Sequence, residues 1–299
     1  MKKSESLSRR KGSPSTQDWA QAIQGLRQKG HDLQTILRIH GMARSTFYYH
    51  ISRINSTDKY ADIRKRIVDI FEAHHKRYGY RRVYMQLLNE GYLINHKTVQ
   101  KLMAEMHLKS KVRKVKYKSY KGEVGRIAPN VLNRDFKAEK PYRKWATDVT
   151  EFKIEGKKAY LSPIIDMFNG EIISYTISDS PDLKMVMDMI KKAQNKVNIT
   201  GELILHSDQG YHYQHKQYQM TLKKNGIIQS MSRKGNCLDN AVMENFFGIM
   251  KSELLYLKKF KSISEFKKEL TEYIEYYNNE RIKLKLKGKS PVKYRTLYT

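Results

Sequence analysis

The chain has 299 residues, with 58 Lys+Arg against 30 Asp+Glu, a formal net charge of +28 and a sequence pI of about 9.9. This charge predicts a polyanionic partner, most commonly nucleic acid, although a solvated basic surface or a ribosome-associated protein has a similar composition. A single cysteine, Cys237, excludes an internal disulfide and a cysteine-rich zinc site. No apolar run approaches the ~18 residues of a membrane span or forms a signal-peptide core, so we expect a cytoplasmic protein without membrane contact.

The N-terminal part of the chain predicts helices that bind DNA. Residues 1–15 are polar, basic and Ser-rich, which predicts a disordered arm. The apolar spacing over residues 16–56 predicts three short helices separated by glycines. The last two form a helix-turn-helix pattern, whose second helix would open at Arg44 and Ser45 and enter the DNA major groove. A plain three-helix bundle is the alternative interpretation.

A second helical DNA-binding unit is predicted over residues 57–108, and Lys97 and Lys101 lie on the polar side of its last helix. Residues 109–140 predict a basic linker. Its first part, KSKVRKVKYKSYK, holds seven Lys/Arg and no acid, so it should be extended and flexible in isolation. A solvated linker without DNA contacts is the alternative. Four of its basic residues are candidate DNA contacts: Arg113, Lys114, Lys116 and Lys118.

After Pro141 the pattern changes to strands. KWATDVTEFKI, KAYLSPIIDMF and EIISYTISD predict a three-stranded meander, with Asn169-Gly170 as the turn of its second hairpin. Strands then alternate with helices, giving the order βββαβαβα. This order is typical of the α/β ribonuclease-H-like fold, a mixed five-stranded sheet with flanking helices, here predicted over residues 141–256 after the all-α units. A C-terminal helix and a basic tail are predicted over residues 257–299.

Three acids in this core suit a single catalytic site. Asp148 falls within the first predicted strand and Asp208 at the exit of the fourth, while Glu244 lies one turn into a helix; 59 and then 35 residues separate them. The first and fourth strands of such a sheet can be neighbours, so the two aspartates can meet. Oxygen ligands suit Mg²⁺ or Mn²⁺, and two ions about 3.5–4 Å apart serve phosphoryl transfer. For each acid alone, a capping or surface role is the alternative.

Two side chains near Glu244 are candidate DNA contacts. Lys251 lies almost two helical turns further on, about 10 Å away on the same face, which suits contact with a phosphate better than a salt bridge at the metal. Asn240, one turn before Glu244, either lies on the active face or serves only as the helix cap. Three histidines could suggest a zinc site: His206, His212 and His215. We instead expect them to contact phosphates or to hydrogen-bond the catalytic acids.

These motifs resemble a known family over nearly the whole chain. YGYRR at 78–82, WATDVT, HSDQG, SRKGNCLDNAVMENFF and YNNERIKLKLKGKSP are similar to motifs of the DDE transposases of bacterial insertion sequences, specifically the second-frame product of the group called "insertion sequence three". Asp148, Asp208 and Glu244 stand at the positions of the family's catalytic acids, and Lys251 at that of its accompanying base. The chain departs from the family at His212, where Gln is usual, and at Lys283, where His is usual. These departures bear on local DNA contacts rather than on the acids.

The resemblance implies a metal-dependent transposase that binds the terminal inverted repeats of its element and transfers strands through a 3′-hydroxyl. It implies double-stranded DNA as the partner, at the element ends and at the target, and a homo-oligomer that pairs two ends. It also implies a first-frame transposase protein, to which such a chain is often fused by frameshifting, and a place on the bacterial nucleoid. The alternatives are a non-catalytic DNA-binding regulator of transposition and a structure-selective nuclease. Retroviral integrases share the fold, but their zinc module cannot exist with one cysteine.

Overall fold

The computed structural model describes residues 14–55, 58–111, 127–233 and 237–298. The chain divides into two compact units, Met1–Lys65 and Arg66–Thr299. The four candidate DNA contacts of the linker, Arg113, Lys114, Lys116 and Lys118, lie outside the described residues. No helix in the described part of the chain is long and apolar enough to cross a membrane.

The first unit contains the three helices that the apolar spacing predicts: α1 (Thr16–Gln28), α2 (Leu33–His40) and α3 (Arg44–Asn55). Gly41 ends α2 with φ 73°, a left-handed conformation that glycine adopts without strain, and so makes the tight turn into α3. The small core of this unit is apolar: Ala20, Ile23, Leu37, Met42 and Phe47. Arg44 and Ser45 are exposed at the start of α3, where a bound duplex can reach them.

A second set of helices comes next: α4 (Ala61–Ala73), α5 (Tyr80–Asn89) and α6 (His96–Glu105). Arg66 of α4 donates two hydrogen bonds, of 2.6 and 2.7 Å, to the carboxylate of Glu90 and so fastens α4 to the turn between α5 and α6. Asn95 caps α6 by accepting a 2.8 Å bond from the backbone N–H of Lys97. The side chains of Lys97 and Lys101 are exposed, while Val99 of the same helix is buried.

A mixed β-sheet forms the centre of the second unit. Its strands are β1 (Lys144–Thr147), β2 (Thr150–Ile154), β3 (Lys157–Asp166), β4 (Ile172–Ser178), β5 (Leu203–Ser207) and β6 (Ile227–Met231). β1 and β2 pair antiparallel with the two ends of β3, so together they fill one position of the sheet. β4 lies on the other side of β3, while β5 pairs parallel with β1 and β6 parallel with β5. This five-position layout confirms the ribonuclease-H-like fold.

The structure interrupts the first predicted strand at Asp148. Thr147 pairs with Ile164, and Thr150 pairs with Leu161, so the register places Pro163 opposite Asp148. Proline has no backbone N–H to offer to a neighbouring strand, which explains why the pairing breaks there. The prediction of one continuous strand through KWATDVTEFKI was therefore wrong at this point.

Helices cover both faces of the sheet: α7 (Leu183–Lys196), α8 (Tyr211–Gln214), α9 (Lys216–Lys224), α10 (Ala241–Met250), α11 (Ile263–Asn279) and α12 (Pro291–Arg295). Successive residues of a strand point to opposite faces, and on β1 Trp145 packs toward the core under α7, whereas Ala146 packs toward the core under α10 and α11. A sheet buried on both faces needs strands that are apolar throughout, which accounts for the pattern in the sequence.

The helix that contains Glu244 changes type along its length. A 3₁₀ turn (Cys237–Asn240) precedes α10, and a π-helical turn (Lys251–Leu255) comes after it. A π turn inserts one extra residue relative to an α-helix and is frequently found at functional sites. The side chains beyond Met250 are therefore rotated from the positions that a continuous α-helix would give them.

Residues 78–89 pack against the C-terminal segment of the same unit. The Tyr78 hydroxyl accepts a 3.0 Å hydrogen bond from the backbone N–H of Ile282, and the Asn89 amide donates a 2.8 Å bond to the carbonyl of Gly288. A Cβ at Gly288 would lie 2.7 Å from Cε of Met85, and its φ of 72° also favours glycine. The predicted second DNA-binding unit is thus fastened to the segment that comes after α11.

Candidate active site

Asp148 stands at the break between β1 and β2. Its Oδ1 accepts a 2.7 Å hydrogen bond from the backbone N–H of Val149, and its Oδ2 accepts a 3.0 Å bond from the Asn240 side-chain amide. Because the strand breaks here, the N–H of Val149 is free to donate to the carboxylate of Asp148. Both oxygens of Asp148 are therefore held in place by hydrogen bonds. A continuous strand would not provide this arrangement.

Asp208 comes directly after β5, the parallel neighbour of β1. Its Oδ1 accepts a 2.8 Å hydrogen bond from the backbone N–H of Gly210. A Cβ on Gly210 would lie only 3.0 Å from that same oxygen, so glycine permits the close approach of the turn. Because β1 and β5 are adjacent, their ends bring Asp148 and Asp208 to the same edge of the sheet.

Glu244 lies in the first turn of α10, close enough to Asp148 for its charge to affect that carboxylate. Burial raises the pKa of Asp148 well above its usual range, and the negative charges of Asp208 and Glu244 raise it further, against the hydrogen bonds from Val149 and Asn240. Burial also raises the pKa of Asp208 and that of Glu244. No Lys or Arg in the described ranges forms an ion pair with any of the three.

The donor chemistry of this site fits a hard divalent cation. The three acids present only oxygen atoms, and a cation beside them would offset the burial and mutual repulsion that raise their pKa values. Over the described ranges, no group of three or more His, Cys, Asp or Glu side chains is arranged to hold a metal ion. Mg²⁺ commonly binds through one or two carboxylates and keeps several waters, so it does not require three protein ligands already in place.

Asn240 does not act as a side-chain cap of α10. Its amide makes no capping hydrogen bond and instead donates to Asp148. The alternative that Asn240 serves only as the helix cap was therefore wrong. Its Oδ1 is buried without a hydrogen-bond partner among the described residues.

Lys251 begins the π turn that comes after α10. Burial lowers the pKa of its ammonium group, while the charge of Asp148 acts in the opposite direction. Its Nζ lies 5.7 Å from the centre of the Phe152 ring. Within the described part of the chain, Lys251 forms no ion pair with the three acids, which leaves its ammonium group available to an anionic ligand.

Asp239 is an anchor of this site that the sequence did not reveal. Its carboxylate accepts hydrogen bonds of 2.9 Å from Nε and Nη2 of Arg233, 2.8 Å from Arg134 and 3.1 Å from Asn130. The hydrogen bonds from Arg233, with those from Arg134, hold its pKa well below the usual range. Asp239 therefore ties the segment before Asn240 to residues 130–134, which no local motif could indicate.

The histidines and Lys283 contact other residues of the protein, although His206 Nε2 and His212 Nδ1 have no hydrogen-bond partner among the described residues. His206 Nδ1 lies 2.9 Å from the hydroxyl of Ser230, His212 is buried beside Tyr211, and His215 caps α9. The Lys283 ammonium donates bonds of 3.3 and 3.2 Å to the carbonyls of Asn169 and Gly170. Lys283 thus stabilises the β3–β4 hairpin.

The comparisons with known proteins agree with this architecture. Models of an integrase core domain match residues 138–237 and 244–297, and a model of an HTH-like domain matches residues 59–116. The putative transposase InsK for insertion sequence element IS150 of Escherichia coli (strain K12) is 55% identical over 265 residues, which cover 89% of this chain and 94% of that protein. The transposase InsF for insertion sequence IS3A of the same organism is 29% identical over 268 residues, covering 88% of this chain and 93% of that protein.

Among solved structures, the HTLV-2 integrase catalytic core domain in complex with magnesium, in its trimeric form, has 18% identity and a TM-score of 0.42. The match covers 52% of this chain and 98% of that one. The two insertion-sequence relatives are matched over nearly their whole length, including both the HTH-like and the integrase core regions. The chain belongs to the DDE transposases of bacterial insertion sequences, in the insertion sequence three family.

Proposed function

We propose that this transposase binds the terminal inverted repeats of its insertion sequence and catalyses metal-dependent strand cleavage and strand transfer by a 3′-hydroxyl. The supporting observation is the pair Asp148 and Asp208 at one edge of the sheet, with the charge of Glu244 acting on Asp148. Asp148, Asp208 and Glu244 come from three separate elements, their pKa values are raised, and no described Lys or Arg pairs with them. A fold retains such an unfavourable set when a bound cation offsets it.

In this proposal the three acids hold Mg²⁺ or Mn²⁺, and two ions serve the reaction. When bound, such ions activate an attacking oxygen and stabilise the departing one in phosphoryl transfer. The chain itself orients the ligands, since Val149 and Asn240 fix the oxygens of Asp148, and Gly210 fixes one oxygen of Asp208. Integrase core domains as a family depend on divalent metal.

The proposed DNA contacts are distributed along the chain. Residues 16–56 and 57–108 would bind the element end, and the basic linker at 109–140 would run along the DNA backbone toward the core at 141–256. Their partners are the two element ends and the target duplex, held by a homo-oligomer, with the first-frame protein as a further partner. The candidate side chains are those named from the sequence: Arg44, Ser45, Lys97, Lys101, Arg113, Lys114, Lys116, Lys118, Asn240 and Lys251.

The test is a joining reaction with the full chain. The purified protein is incubated with a duplex that carries the candidate terminal repeat, with Mg²⁺ or Mn²⁺, and products joined through the 3′ end are measured. We expect joined product that disappears when the metal is chelated. Binding of the duplex without nicking or joining in either metal would support the second candidate function, a non-catalytic regulator that competes for the ends.

Asn240→Ala is expected to lower strand transfer about 10- to 100-fold at limiting Mg²⁺, the cost commonly found when a side chain that orients a metal ligand is removed. The alanine leaves Oδ2 of Asp148 without the bond from Asn240. The check is a titration of activity with Mg²⁺, whose midpoint should move to higher concentration. Asn225→Ala is the control, because the Asn225 amide only donates to the Thr221 carbonyl at the end of α9, and it should leave the midpoint unchanged. An unmoved midpoint for Asn240→Ala would refute the orienting role.

DNA binding is expected to weaken steeply with salt. The logarithm of the binding constant should fall with the logarithm of salt concentration by about 0.9 for each phosphate that the protein neutralises. Replacing Lys97 and Lys101 with Gln should reduce that slope by about 0.9 for each phosphate that is no longer neutralised, as measured by fluorescence anisotropy of a labelled end duplex. Lys184→Gln, at an exposed pair with Asp188 on α7, is the control and should leave the slope unchanged. An identical slope for the α6 variant would remove that helix from the DNA interface.

A further inference from the structure

The π turn after α10 directs two charged side chains into different surroundings. Lys251, at the start of this turn, lies beside the Phe152 ring, and the charge of Asp148 raises the pKa of its ammonium group against the effect of burial. Glu253, two residues later, points into the protein and is 4% exposed. An extra residue in a helix rotates all later residues of that helix by about 100°. Contacts beyond the π turn can therefore favour the rotated positions.

The carboxylate of Glu253 makes such contacts. Its Oε2 accepts a 2.7 Å hydrogen bond from Nε of Arg281 and a 3.0 Å bond from the Tyr273 hydroxyl. Its Oε1 accepts a 2.7 Å bond from Nη2 of Arg281 and a 3.3 Å bond from Arg82. Four donors satisfy the whole acceptor capacity of one carboxylate.

These donors come from three different parts of the second unit. Arg82 lies on α5 in the HTH-like region, Tyr273 on α11, and Arg281 just after α11. Arg281 is 2% exposed, and its guanidinium lies 5.5 Å from the centre of the Tyr277 ring. Buried ion pairs of this kind are rarely the best way to stabilise a fold, since apolar residues of similar volume often do as well. The hydrogen-bonded group around Glu253 is therefore better explained by a role in fixing the positions of the segments that it joins.

We infer that Glu253 is a positioning residue for strand transfer. Its four hydrogen bonds hold the π turn in the register that keeps Lys251 beside Asp148, where the ammonium group meets a phosphate of the bound DNA end. Because Arg82 of α5 also donates to Glu253, this carboxylate links the proposed DNA-binding helices to the segment that contains Lys251. This inference rests on the proposed function of Lys251.

The test is a double-mutant cycle between Glu253→Gln and Lys251→Ala. Strand transfer is measured with a precleaved end duplex, and the free energy of unfolding is measured in urea for all four proteins. Each single variant is expected to lose about 10- to 100-fold in strand-transfer rate, the cost of a small displacement near the reacting groups. In the Lys251→Ala background, Glu253→Gln should cause no further loss of rate, while its effect on unfolding remains the same.

Glu171→Gln is the matched control. Glu171 is also a buried carboxylate, 1% exposed, and its Oε2 accepts a 2.6 Å hydrogen bond from Arg295, but it lies at the β3–β4 hairpin. The factor by which Glu171→Gln changes the strand-transfer rate should be the same in the wild-type and Lys251→Ala backgrounds. If Glu253→Gln does not fold, the cycle is run with Glu253→Gln and Arg281→Gln together, which leaves no unpaired charge at this anchor from either residue.

Two outcomes overturn the inference, and they are distinguishable. If Glu253→Gln lowers the rate by the same factor in both backgrounds, its effect is only structural, and the positioning role fails while the role of Lys251 stands. If Lys251→Ala alone leaves the rate unchanged, the proposed function of Lys251 fails, and the inference fails with it. Loss of rate in both single variants without further loss in the double variant supports it.

Discussion

Asp148→Asn is expected to lower strand cleavage and strand transfer by at least about 1,000-fold, equivalent to about 4 kcal/mol of transition-state stabilisation, while binding of the end duplex is retained. The substitution removes the charge that a divalent cation requires and preserves the shape of the side chain. The local bonds can persist, because the buried Oδ1 of Asn240 has no described partner and can accept from the new amide after rotation. Gel assays of nicking and joining measure the loss, and anisotropy measures binding.

The same variant also has a stability signature. Burial and the charges of Asp208 and Glu244 disfavour the ionised form of Asp148, so in the absence of divalent metal its neutral replacement should unfold at the same or a higher urea concentration. Asp188→Asn, on the exposed surface of α7, is the control and should keep full activity. Unchanged strand transfer by Asp148→Asn would reject the proposed catalytic role and leave a DNA-binding regulator.

Arg281→Met is expected to lower the free energy of unfolding by about 3–5 kcal/mol, the typical cost of removing one partner from a buried ion pair. Both short hydrogen bonds to Glu253 come from Arg281, and the carboxylate that remains is buried. Urea unfolding followed by fluorescence measures the change. Lys184→Met breaks an exposed pair with Asp188 and should leave the unfolding free energy unchanged.

Combining Arg281→Met with Glu253→Gln removes both charges, so much of the lost stability should return.

The ion pair between Arg281 and Glu253 should also affect unfolding by acid. Burial alone would raise the pKa of Glu253, but hydrogen bonds from Arg281 and the charges of Arg281 and Arg82 hold it below its ordinary value of 4.5. The stabilisation is therefore complete above that ordinary value and is lost as pH falls through the lower pKa of the folded state. Arg281→Met should shift acid unfolding to higher pH; an unshifted transition would contradict the proposed contribution of this pair.

Local sequence patterns predicted the fold well because its elements are locally encoded. Strands rich in β-branched and aromatic residues, followed by alternating helices, predicted the order of elements along the chain. The structure confirms that the strand before Asp148 and the strand before Asp208 are adjacent. A helix was also correctly predicted around Glu244.

The features that local patterns missed depend on residues far apart in the chain. The break at Asp148 arises from Pro163 on the neighbouring strand, and proline within a predicted strand was the available signal. Glu253 in the π turn accepts hydrogen bonds from Arg281, and Asp239 accepts one from Arg134. A pairing such as that of Tyr78 with Ile282 joins positions about 200 residues apart, and no periodicity encodes it.

The attachment of residues 78–89 to the C-terminal segment limits how this enzyme can be dissected. A fragment confined to the integrase core, residues 138–297, would strip the N–H of Ile282 and the carbonyl of Gly288 of their partners and take one donor from Glu253. Chimeras that exchange the HTH-like region to redirect end recognition would need to carry over Tyr78, Arg82 and Asn89, or else supply equivalents on the incoming helix. Retargeting by domain exchange is therefore a problem of interface design as well as of DNA specificity.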